Sequence, residues 1–102
     1  MKILVKDGVV IKEINVYFLR LADVLMKTYG FVNSKFPTIT SCNDSKHMIG
    51  SLHYEDLAWD LRTRDLTKEE AKQWSRNLAS HLGKEFQVIL EKDHIHVEFD
   101  PN

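Results

Sequence analysis

The sequence predicts an α+β fold: a mostly antiparallel sheet with two helices packed on one side. Three observations carry that expectation. Short stretches near both ends alternate apolar and polar residues, as strands with one buried face do. Two longer stretches repeat their apolar residues at helical spacing. Near the C-terminus the alternation changes parity between residues 90 and 95, which requires a turn or bulge between two strands.

The elements follow in order. Residues 2–13 alternate around Asp7-Gly8, a dipeptide suited to a two-residue hairpin turn, so strands are expected near 2–6 and 9–13. Asn15 is a candidate N-cap, with Ile14 and Leu19 placed as a hydrophobic staple. Phe18, Leu21, Ala22, Leu25 and Tyr29 then mark the buried face of a helix over about 16–29, with Gly30 as its stop. A short strand is expected at Thr38–Ser41, a polar loop from Cys42 to Gly50, and a strand near Ala58–Arg62. Thr67-Lys68-Glu69-Glu70 has the form of a capping box, and Ala71, Trp74, Leu78 and Leu82 line one face of the helix it opens, which Gly83 ends. Phe86, Val88 and Leu90 define one strand, and Ile95, Val97 and Phe99 the next, with the turn at Lys92-Asp93.

A chain of 102 residues is large enough for one hydrophobic core and too small for two, so residues 1–102 are read as a single domain. The composition, 43% hydrophobic and 28% charged, is that of a globular protein. A net charge of −1 with scattered Lys and Arg gives no basis for expecting nucleic acid as a partner, and no apolar run has the length of a membrane span. The apolar stretch at the N-terminus is too short for a signal peptide, so synthesis in a cytoplasm is expected. Cys42 is the one cysteine, which excludes an internal disulfide and a thiolate-rich metal site, and it is read as a small semi-buried residue.

Chemistry concentrates in two segments, residues 51–60 and 93–98. They carry His53, Asp60, His94 and His96, with spare acids beside the last two. Three nitrogen and oxygen ligands with one position left for water hold a catalytic zinc ion, so the expectation is an open His/Asp/His site for Zn2+. Along the last strand His94, His96 and Glu98 point to one side, opposite Ile95, Val97 and Phe99. The apolar set should face the helices and leave the histidines on the accessible face.

Both segments resemble one family. Ser51-x-His53-x-x-Asp56-x-Ala58-x-Asp60 is similar to the Ser-x-His-x-x-Gly-x-Ala-x-Asp signature of the D-Ala-D-Ala carboxypeptidase/hedgehog zinc superfamily, with Asp56 standing where the signature has glycine. Glu91-Lys92-Asp93-His94-Ile95-His96-Val97 resembles its closing His-x-His strand with an acid shortly before it. The likeness spans about Thr38 to Phe99. It implies His53, Asp60 and His96 as zinc ligands, with His94 behind them or bonded to the oxyanion of a tetrahedral intermediate. It also implies a carboxylate base. Glu91 and Asp93 both qualify, and Glu91 is slightly preferred.

The resemblance implies a zinc metallopeptidase cutting stem-peptide bonds of bacterial peptidoglycan, like phage lysis enzymes, which are made in a cytoplasm and delivered to the wall. The alternative it allows is a zinc-binding module without catalysis, such as a virion or assembly component that joins a larger protein assembly. Other residues invite plainer readings. His47 belongs to a solvated loop, Arg62 and Arg64 to surface ion pairs or a substrate carboxylate, Trp59 and Trp74 to the core, and His81 to a helix C-terminus.

Overall fold

The computed structural model describes residues 2–29, 36–42 and 57–100. Five strands and two helices follow in the order β1 (Leu4–Val5), α1 (Val16–Thr28), β2 (Thr38–Ser41), β3 (Ala58–Arg62), α2 (Lys68–Leu82), β4 (Phe86–Leu90) and β5 (His94–Phe99). The strands form one sheet in the order β1-β2-β3-β5-β4. Every pairing is antiparallel except β1 with β2.

The N-terminal hairpin expected around Asp7-Gly8 is replaced by a different arrangement. The turn itself forms, with Gly8 at φ 89 and the Val9 amide donating to the Lys6 carbonyl at 3.2 Å. Residues 9–13 do not return as a strand. β1 instead pairs parallel with β2: the Leu4 and Lys6 amides donate to the carbonyls of Pro37 and Ile39, each at 2.9 Å. Ile3, Val9 and Ile11, the residues that gave the alternation, still lie against the core. Burial thus accounts for the pattern without a ladder.

Both helices begin as their sequences dictate. The Asn15 side chain accepts from the Phe18 amide at 2.9 Å, which satisfies one of the donors a helix N-terminus leaves open. Ile14 and Leu19 are both more than half exposed, so the cap and not a buried staple starts α1. For α2 the reciprocal capping box is complete: the Glu70 amide donates to Thr67 Oγ1 at 3.1 Å, and the Thr67 amide to Glu70 Oε1 at 2.8 Å. Gly83 ends α2 at φ 89, an angle that a side chain would disfavour.

The core lies between the helices and one face of the sheet. Leu21 and Leu25 of α1 and Trp74 and Leu78 of α2 meet Ile39, Trp59, Leu61, Ile95 and Val97, all buried. Burying one such aliphatic side chain is worth about 1.5–3 kcal/mol. The indole of Trp74 reaches across to α1, where Nε1 donates to Thr28 Oγ1 at 3.1 Å, and Thr28 Oγ1 donates to the Val24 carbonyl at 2.8 Å. β4 and β5 form the hairpin that the parity change implied. Leu90 stands opposite Ile95, and the Glu91 amide donates to the His94 carbonyl at 2.8 Å.

Candidate functional site

With Trp59, Leu61, Ile95 and Val97 turned to the helices, the pleat sends Asp60, Arg62, His94, His96 and Glu98 to the other face. The β3–β5 register pairs Asp60 with His96 and Arg62 with His94. Directly opposite residues in an antiparallel pair bring their side chains together, and here that produces a charged contact. His96 Nδ1 lies 2.9 Å from Asp60 Oδ1. On its other side, His96 Nε2 lies 2.9 Å from Glu98 Oε1, two residues along the same strand. All three side chains are about one-fifth exposed.

A second imidazole extends the row. His94 Nδ1 meets Asp93 Oδ1 at 2.6 Å, and its Nε2 stands 3.7 Å from Asp60 Oδ1. Acid and imidazole therefore alternate in the order Asp93, His94, Asp60, His96, Glu98 across the open face. The hydrogen bond to Asp60 raises the pKa of His96 above the usual imidazole value, partial burial opposes it, and Glu98 adds to the rise. The bond to His94 lowers the pKa of Asp93.

A cleft of about 450 Å³ opens beside this row, lined by Asp60, Asp93 and His94 together with Lys6, Arg62 and Arg64. Neither arginine makes an ion pair among the described residues; both line the cleft. The two acids considered as base part company. Asp93 lies against His94 and borders both the cleft and a second cavity beside the N-terminus of α2, whereas Glu91 lines the second cavity and not the cleft.

The structure thus brings together Asp60, His94, His96 and Asp93. His53 and His47 lie outside the described residues. Glu98 is the site residue that sequence reasoning left without a role. Its signal was the strand parity it shares with His96, two positions away. Among the described residues, no group of three or more His, Cys, Asp or Glu side chains is arranged to hold a metal ion. Asp60 and His96 converge as two donors. Glu98 stands at the far ring nitrogen of His96, where a carboxylate orients a metal-binding histidine. Trp59 and Trp74 are wholly buried, as expected of core residues, and Cys42 is buried as well.

No protein-family model matches the chain, and comparison with curated proteins and with solved structures finds no match either.

Proposed function

We propose that the chain is a zinc-dependent metallopeptidase that hydrolyses stem-peptide bonds of bacterial peptidoglycan. The observation that supports this reading best is the convergence of Asp60 Oδ1 and His96 Nδ1, 2.9 Å apart on the open face of the sheet beside a cleft. The zinc and the substrate class come from the resemblance in the two histidine-bearing segments. Asp60 and His96 would hold Zn2+ together with His53. The chemistry the ion supplies when bound is Lewis acidity, which polarises a carbonyl and makes water a nucleophile near neutral pH.

The remaining roles belong to side chains around that pair. Glu98 accepts the Nε2 proton of His96 and so turns Nδ1 toward Asp60. Asp93 fixes His94 by accepting from its Nδ1, and a ring that carries its second proton would donate from Nε2 to a developing oxyanion. Asp93 borders the cleft where Glu91 does not, which supports Asp93 over Glu91 as the acid that would take the proton from water. Arg62 and Arg64 line the same cleft and suit a carboxylate on the substrate.

The second reading is a zinc-binding module without catalysis, and the carboxylate of Glu98 at His96 Nε2 would orient that ring for a metal whether or not turnover follows. One experiment separates the readings: metal content by mass spectrometry on the untagged chain and on His96→Ala, followed by digestion of purified peptidoglycan with and without chelator. The peptidase reading expects zinc bound by the parent chain and lost from the variant, and turnover that chelator stops. Bound zinc without turnover would leave the binding module. A chain that takes up no zinc would overturn both.

A further inference from the structure

We infer that the cavity between the N-terminal end of α2 and the β4–β5 turn is a binding site for a small carboxylate with an aliphatic body. This inference stands apart from the proposed function, because neither a metal ion nor turnover enters the argument or its test. The cavity has a volume of about 640 Å³, within the range of small-molecule sites.

Its floor is apolar for a structural reason. Leu90 stands opposite Ile95 and so shares the helix-facing side of the sheet with Phe86. Phe86 is 7% exposed and Ile95 is fully buried, yet Leu90 is 37% exposed. At this corner the helix layer leaves the sheet's apolar face uncovered, and Leu66 and Ala71 complete the wall. An aliphatic group seated here would cover surface that the fold itself leaves wet, at about 25 cal/mol for each Å² removed from water.

The rim selects the charge. Arg64, Lys68, Lys72 and Lys92 surround this floor, against the two carboxylates of Glu91 and Asp93. Asp93 is already engaged by His94, and Lys72 pairs with Glu69 at 3.6 Å. Lys68 opens the first turn of α2, where the positive end of the helix dipole disfavours a cation. The same turn carries Glu69 and Glu70, so the dipole is already answered by the chain's own carboxylates and Lys68 stands at the rim as an added cation. The excess of cations and the exposed leucine together match a ligand with one negative group and a hydrocarbon body, and they disfavour a cationic one.

The test is a titration of the full chain with sodium octanoate below its micelle concentration, followed by amide chemical shifts, with octylammonium chloride as the comparison. The expected result is a saturable change at Leu66, Lys68, Ala71 and Leu90, with octylammonium binding at least about tenfold more weakly. Lys68→Glu should weaken octanoate about three- to tenfold while Lys68→Arg keeps it. Lys68→Glu places an anion where the dipole favours one, so lost binding in a stably folded variant is not lost folding. Equal binding of octanoate and octylammonium, no saturable change at these amides, or unaltered affinity in Lys68→Glu would each overturn the inference.

Discussion

Asp60 and His96 face each other directly across β3 and β5, with Oδ1 2.9 Å from Nδ1, and Glu98 closes on the other side of the same imidazole at 2.9 Å. The ring is therefore held at both nitrogens. Only a doubly protonated imidazole donates to two carboxylates, so the triad favours the charged form of His96 in the absence of metal.

The first prediction concerns Glu98. If Glu98 orients His96 for a metal, Glu98→Gln keeps the shape but weakens the acceptor at Nε2. Zinc affinity should fall by about 10–100-fold. Competition against a chromophoric chelator measures this directly, and an unchanged affinity would show that Glu98 serves the charge cluster alone.

The second concerns pH. In the metal-free chain the folded pKa of His96 is raised above its unfolded value of about 6.5. The stability that this shift contributes is fully present below that unfolded value and is lost as pH rises through the folded pKa. Urea midpoints measured from weakly acid to weakly alkaline pH should show the excess stability of the parent chain over His96→Asn shrinking upward through that window. A gap that widens with pH would contradict the raised pKa.

The third tests how the two helices are joined. Arg20 of α1 donates from Nη2 to the carbonyls of Leu82 at 3.1 Å and His81 at 3.3 Å, at the C-terminus of α2. A cation there satisfies open carbonyls and opposes the negative end of the dipole. Arg20→Ala should lower unfolding stability by about 1 kcal/mol, the scale for a partly exposed contact of this kind. Chemical denaturation reads the effect, and Arg20→Lys should recover part of it.

The fourth tests the buried polar bridge. Thr28→Val preserves shape but removes the acceptor of the Trp74 indole, which is fully buried. A buried donor left unsatisfied costs about 1–3 kcal/mol. In a Trp74→Phe background the same substitution should cost clearly less, because no donor is then left unpaired. Equal costs in the two backgrounds would mean the bridge carries no coupling energy.

Much of this protein was legible in residue order alone. The starts of both helices, the stop at Gly83, the strands Thr38–Ser41 and Ala58–Arg62, and the turn between Leu90 and Ile95 rest on signals contained within a few residues. Caps, turns and periodicity express local sterics and local hydrogen bonds, which neighbours in sequence determine. The parity of β5 also placed His94 and His96 together on the accessible face. What only the tertiary structure decided were the pairings between distant segments. β1 pairs with β2 instead of folding back on residues 9–13, because alternation reports burial and not which strand supplies the hydrogen bonds. Asp60 meets His96, and Asp93 rather than Glu91 meets His94, because a register between β3 and β5 and the shape of one turn set those distances. Such contacts depend on loop closure and on the packing of the whole sheet, and no window along the chain contains them.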